Sequence, residues 1–255
     1  MGQLERFPAQ PRPIVGNHHG FPRAPQIETF MRPWILLDSA QVPGDGGELR
    51  LYQRGDEFSI KIVGRGELMN SRVHGSEEAL AEHTCARLVG CSKPRLLIGG
   101  LGMGFTLAAA LRHIGDEARV VLAELVPAVV AWNRGPLGEH AGYPIQDPRV
   151  TVREGDVARV IKAEQQTYDA ILLDVDNGPE GLARKKNNWL YSMNGLNEAY
   201  AALRPKGVLA IWSAGPDQAF LQRLKKVGFD VDEVRVRAHG SKGARHIIWF
   251  ARRGV

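Results

Sequence analysis

The chain has 255 residues, 44% hydrophobic and 24% charged, which suits one or two domains with a sizeable buried core. No run of about 18 apolar residues occurs, which excludes a membrane-spanning helix, and the opening MGQLERFPAQPRP lacks the apolar stretch of a secretory signal, so a cytoplasmic protein is expected. The net charge of +5 comes from scattered basic residues, and the clusters Arg184, Lys185, Lys186 and Lys225, Lys226 carry no interleaved aromatics for base stacking, so nucleic acid is not an expected partner.

Residues 1–46 read as an irregular arm, with 1–35 rich in Pro, Gly and His and without sustained periodicity. Its expected role is packing against another subunit, which makes a homodimer the expected assembly. Residues 47–75 read as a small antiparallel β unit, because GELRLYQRG and EFSIKIVGRGELMNS alternate in polarity and are split by Gly-Asp and Gly-Arg-Gly turns. A helix is predicted over HGSEEALAEHTCARLVG, with Ser76 as N-cap, Glu77 and Glu78 in the first turn and Gly90 as its stop.

Residues 76–255 read as the second, larger domain. From Arg95 the pattern becomes strand then helix, repeated. The predicted strands are RLLIGG (95–100), RVVLAEL (119–125), RVTVREGD (149–156), YDAILLD (168–174) and GVLAIWSA (207–214). Between and after them come FTLAAALRHIG, PAVVAWNR with Pro127 in its first turn, DVARVIKAE, LNEAYAALRPKG and PDQAFLQRLKKVG as helices. Continuous apolar strands alternating with helices imply a parallel sheet covered on both faces. The end differs: FDVDEVRVRA (229–238) and ARHIIWFARR (244–253) are joined by the turn HGSKG with no helix between them, an antiparallel hairpin closing the sheet. The fold class is therefore α/β, a Rossmann-like seven-stranded sheet of the methyltransferase type with a small β unit before it.

The chemistry concentrates at the carboxyl ends of these strands. Gly99, Gly100, Gly102 and Gly104 follow the first parallel strand and open a helix, where a sharp turn without Cβ atoms lets a nucleoside lie against backbone. Glu124, ending the second strand, can accept both ribose hydroxyl protons. Asp156, ending the third, suits two tasks: receiving an adenine amino group, or capping the next helix. Asp174 and Asp176 follow the fourth strand in DVDNGPE, and paired acids raise each other's pKa unless a cation lies beside them. That cation is expected to be an amine substrate or a sulfonium.

Other residues read more plainly. Cys85 and Cys91 are too few for a disulfide framework or a zinc site, and His18 and His19 have no partner at ligand spacing, so no metal is expected. His74 and His83 read as polar surface, and Trp132, Trp212 and Trp249 as core. Trp189 and Tyr191 lie in the segment that would cover the site, with Tyr191 against the substrate.

Over residues 47–253 the chain resembles the spermidine synthase (polyamine aminopropyltransferase) superfamily. The resemblance is carried by LLIGGLGMG, AEL ending in Glu124, EGD ending in Asp156, YDAILLDVDNGP and LRPKGVLAIWS, in that order, after the small β unit. It implies that the glycines and Glu124 hold the nucleoside of decarboxylated S-adenosylmethionine or S-adenosylmethionine, and that Asp156 meets adenine. It also implies that Asp174 orients and deprotonates the attacking amine. Glu78 is similar in placement to the acid of a Tyr-His-Glu segment that helps bind the diamine, with Glu77, Asp176 and Asn177 beside the substrate. The product would be methylthioadenosine, or S-adenosylhomocysteine if a methyl group is moved instead. The chain departs from the family pattern at three places: Gly102 stands where an aspartate commonly holds the donor's amino group, Ser76-Glu77 replaces the Tyr-His pair, and Asn177 replaces an acid. An aminopropyltransferase, a methyltransferase and a non-catalytic nucleoside-binding homologue are the readings these residues leave open.

Overall fold

Ile35–Gln41 is already a strand, although it lies in the stretch read as an irregular arm. It opens a four-stranded antiparallel meander: β1 (Ile35–Gln41), β2 (Glu48–Arg54), β3 (Glu57–Ile62) and β4 (Gly66–Asn70), paired in that order. The computed structural model describes residues 32–44, 46–175, 189–239 and 242–255, and Pro33–Val255 form one compact unit. Leu49 and Leu51 on β2 face Ile60 and Ile62 on β3 across the same buried side, as a two-residue period requires. β1 owes its conformation to pairing with β2, Leu36 opposite Tyr52 and Ala40 opposite Leu49. The Trp132 indole Nε1 donates to Asp38 Oδ2 at 2.7 Å and ties β1 to the larger sheet's helical layer.

Helix α1 (Gly75–Cys85) follows, with His74 rather than Ser76 at its N-cap position. The larger sheet then builds as expected: β5 (Arg95–Gly99), β6 (Arg119–Glu124), β7 (Val150–Glu154), β8 (Tyr168–Leu173), β9 (Leu203–Ser213), β10 (Asp230–His239) and β11 (Lys242–Arg252). Their spatial order is β10-β11-β9-β8-β5-β6-β7. The pairs among β5 to β9 are parallel, whereas β11 runs antiparallel to both β9 and β10. The connecting helices are α2 (Phe105–His113), α3 (Pro127–Arg134), α4 (Gly138–Ala141), α5 (Val157–Lys162), α6 (Met193–Ala202) and α7 (Gln218–Val227).

Alternate residues of the central strands feed two cores. Leu96, Ile98, Ala170, Leu172, Val208 and Ala210 join the inner side of the small sheet, α1 and α2. Leu97, Ile171, Leu173, Leu209, Ile211 and Trp249 meet α5, α6 and α7 on the opposite face. Each fully buried Leu or Ile of this kind contributes roughly 1.5–3 kcal/mol. This two-sided burial is why these strands read as unbroken apolar runs.

The predicted helix LNEAYAALRPKG stops at Ala202, and β9 starts at Leu203. Arg253 explains the early stop: its guanidinium donates to the carbonyls of Tyr200, Ala201 and Leu203, which a continuing helix would have needed. Lys206 takes a positive φ of 68° and the β8–β9 register slips between Tyr168 and Ala170, so the Pro-Lys-Gly turn is absorbed as a bulge within a strand.

Candidate active site

The carboxyl ends of β5, β6 and β8 meet at one point. Asp174 N donates to Gly99 O at 2.9 Å, and Gly100 N donates to Ala123 O at 2.9 Å. Gly100 has φ +91°, and a Cβ there would fall 2.3 Å from the Asp174 carbonyl oxygen, so only glycine lets the two strand ends close together. Gly102 also needs a left-handed backbone, φ +52°, and a Cβ on it would point at the Met69 sulfur 3.0 Å away.

Glu124 is 7% exposed at the end of β6. Its Oε2 accepts from Leu101 N and its Oε1 from Val126 N, each at 2.8 Å. Burial pushes its pKa upward, and the backbone N–H groups oppose that. Both oxygens retain acceptor capacity after these two bonds. Asp156 caps α5, accepting from Ala158 N at 2.9 Å, so the helix-cap alternative is realised, and the same residue also borders the neighbouring cleft.

That cleft encloses about 830 Å³ of empty space, part of it open to solvent, between the two sheets. Gly100, Gly102, Glu124, Asp156 and Asp174 line its floor, and Leu49, Ile60, Ile62 and Met69 of the small sheet roof it. A second cavity adjoins it, sharing Leu68, Met69, Gly102 and Asp174 and continuing past Glu77, Phe105, Thr106 and Trp212. Asp174 therefore stands where the two meet.

Asp174 and Glu77 control the electrostatics. The Thr106 hydroxyl donates to Asp174 Oδ2 at 2.5 Å, and Thr106 Oγ1 also lies 3.5 Å from the Glu77 carbonyl oxygen. Burial first, and the Glu77 charge second, push the Asp174 carboxyl up to about 7, against the Thr106 bond. Glu77 is also raised, mainly by burial, although it accepts from Ser76 Oγ at 2.7 Å. A cleft with side-chain-free backbone, a carboxylate with spare lone pairs and an apolar roof fits a nucleoside. Two raised acids in the adjoining cavity fit a cation.

The structure redistributes several of the expected site residues. Gly100, Gly102, Glu124, Asp156, Asp174 and Glu77 come together. Gly99 and Gly104 do not line the cleft: a Cβ on Gly99 would meet Val157 and Leu173, and one on Gly104 would meet Asn133, so these two serve close packing. Glu78 turns outward, with Oε2 3.3 Å from His74 Nδ1 and Oε1 accepting from Arg112 at 3.0 Å. It is Glu77, one residue earlier, that enters the cavity. Tyr191 is not a lid residue against substrate. It is 4% exposed, packs edge-to-face on Phe220 and donates from its hydroxyl to Val175 O at 3.1 Å, bracing the backbone next to Asp174. Asp176 and Asn177 lie outside the described residues.

Met69, Thr106 and Trp212 belong to the site without having been expected there. By sequence Trp212 reads as core, whereas it lines the inner cavity. Nothing local in sequence distinguishes these three, because each reaches the site only through contacts between distant elements.

Residues 78–226 match the family model described as the spermine/spermidine synthase domain. The chain is 36% identical over 118 residues to putrescine N-methyltransferase 2 of Nicotiana attenuata, covering 46% of this chain and 30% of that protein. It is 32% identical over 123 residues to polyamine aminopropyltransferase 1 of Streptomyces coelicolor, covering 48% of this chain and 22% of that protein. The chain thus spans less than a third of the length of either relative. In structure it resembles spermidine synthase from Thermotoga maritima, with TM-score 0.69, 19% identity, and coverage of 86% of this chain and 73% of that one.

Proposed function

The chain belongs to the spermine/spermidine synthase family, and from that premise we propose that it moves an aminopropyl group from decarboxylated S-adenosylmethionine to the amine of a di- or polyamine. The observation that carries the reading is the position of Asp174, at the junction between a nucleoside-shaped cleft and an acid-lined cavity. When bound, the sulfonium donor supplies an activated methylene carbon and a thioether leaving group, so one displacement forms the C–N bond and breaks the C–S bond with its electron pair left on sulfur.

The chain's own work is positioning and proton handling. Gly100, Gly102 and Glu124 hold the adenosine, Glu124 through the ribose hydroxyls, with Asp156 near the base. Asp174 binds the acceptor ammonium and takes one proton from it. An amine with pKa near 10.4 is mostly protonated at neutral pH, and stripping the proton there costs about 4.6 kcal/mol. A carboxyl raised to about 7 is a closer match to that task than an ordinary carboxylate. Apolar Phe105, Met103 and Trp212 keep the cavity wall dry beside it. Asp176 and Asn177 complete the acceptor side in this reading. A cytoplasmic location and a homodimer are carried into the proposal from the sequence, and light scattering on purified protein measures the second.

Calorimetric titration with decarboxylated S-adenosylmethionine, S-adenosylmethionine and methylthioadenosine tests the reading. Tighter binding of the decarboxylated form, followed by methylthioadenosine release when a diamine is added, is expected. Tighter binding of the carboxylated form selects methyl transfer instead, and binding of none of the three removes both enzymatic readings.

A further inference from the structure

The cavity beyond Asp174 has an unequal distribution of charge. Its wall along the glycine loop is made by Leu101, Gly102 and Met103, none of which is ionisable, and the Met69 thioether lies against Gly102. Glu77, on α1, and Asp174 are the two ionisable residues that line it among the described residues. The two occupy different places. Asp174 borders both spaces and is engaged by Thr106. Glu77 borders the inner cavity and not the nucleoside cleft, with Thr106 Oγ1 3.5 Å from its carbonyl oxygen.

In the aminopropyl-transfer reading, a donor with its adenosine on Gly100 and Glu124 would reach past Asp174 with its three-carbon arm into this adjoining cavity. We infer that Glu77 reads that arm: its carboxylate holds the terminal ammonium of the donor and so selects a decarboxylated sulfonium over a carboxylated one. The inference rests on the aminopropyl-transfer reading above and deepens it. Three features of the chain support the assignment. Ser76 Oγ donates to Glu77 Oε2 at 2.7 Å and fixes the carboxylate's direction. The Glu77 charge helps push the Asp174 carboxyl upward, a repulsion that an ammonium between them relieves. A carboxylate on the donor would face two acids across a small cavity with no arginine or lysine among its described lining residues to receive it.

The test is calorimetry on the full chain and on Glu77→Gln with decarboxylated S-adenosylmethionine, S-adenosylmethionine and methylthioadenosine. Methylthioadenosine lacks the ammonium and reports on the nucleoside cleft and the fold. The variant is expected to bind the decarboxylated donor about thirtyfold more weakly or worse, as truncating one partner of a buried charge pair does. Methylthioadenosine affinity is expected to stay within about twofold, and the preference over S-adenosylmethionine to collapse. If the variant loses methylthioadenosine and the decarboxylated donor alike, including by failing to fold, Glu77 is structural and the inference is overturned. If the wild-type chain prefers the decarboxylated donor and the variant keeps that preference, the inference fails while the aminopropyl reading stands. If the wild-type chain prefers S-adenosylmethionine, the aminopropyl reading fails and takes this inference with it.

Discussion

The Thr106 hydroxyl donates a 2.5 Å hydrogen bond to Asp174 Oδ2, joining the first turn of α2 to the end of β8 across the glycine loop. The bond favours the ionised carboxyl and is the one influence that lowers the Asp174 pKa against burial and Glu77. Thr106→Val keeps the shape and removes the donor. A hydrogen bond to a charged group is worth roughly 1.5–3 kcal/mol, about one unit of pKa or somewhat more. The acid limb of kcat/KM for the amine is therefore expected to move upward by about one pH unit, with the alkaline plateau largely retained. A pH–rate profile of both proteins measures this, and an unmoved limb would mean that Asp174 is not the proton acceptor.

The raised carboxyl also makes stability depend on pH. Asp174 titrates near its ordinary 3.8 when unfolded and at about 7 when folded. Below about 4 both states hold the proton and nothing changes. Between about 4 and 7 the folded chain holds a proton that the unfolded chain has lost, so stability falls as pH rises, and above about 7 the penalty is complete. Its upper limit is about 4 kcal/mol at about 1.36 kcal/mol per unit. Asp174→Asn carries no charge to bury. Its stability relative to the unsubstituted chain is therefore expected to rise from pH 4.5 to pH 8, read from denaturant melts at the two values. A constant difference would show that burial does not disfavour the charge.

Much of this site is legible in the sequence where function and local structure coincide. Gly100, Gly102 and Glu124 announce themselves because a strand-to-helix turn needs glycine and a strand end needs no acid. The parallel order of β5 to β9 and the closing hairpin follow from apolar runs and from the missing helix between β10 and β11. Glu77 and Glu78 are different. Adjacent helical residues point about 100° apart, so choosing between them requires the rotation of α1. That rotation is set by Leu80, Ala81 and Thr84 packing inward and by a start at His74 instead of Ser76. Strand β1 fails for a related reason: ILLDSAQ does not alternate, and its form comes from β2, seven or more residues downstream. Tyr191 reads as a cover because it follows the acidic loop, but its ring is drawn into the core by Phe220. The missed residues all depend on contacts that no local window contains.

Glu124 offers the sharpest check on the nucleoside cleft. A carboxylate accepts at about four lone-pair positions; the N–H groups of Leu101 and Val126 occupy two of them at 2.8 Å, and those of Gly102 and Leu125 also favour the ionised form. The remaining two can receive a pair of ribose hydroxyl protons. Glu124→Gln keeps the length but turns one oxygen into a donor, which must then face one of those backbone N–H groups. Two losses follow. The fold gives up about 1–3 kcal/mol for the unpaired buried groups, and methylthioadenosine affinity falls at least about tenfold, because the single remaining oxygen is already engaged. Melting curves measure the first, and calorimetry at a temperature where the variant is fully folded measures the second. A folded variant that binds methylthioadenosine as tightly as the unsubstituted chain would place the ribose away from β6 and remove the nucleoside cleft as drawn.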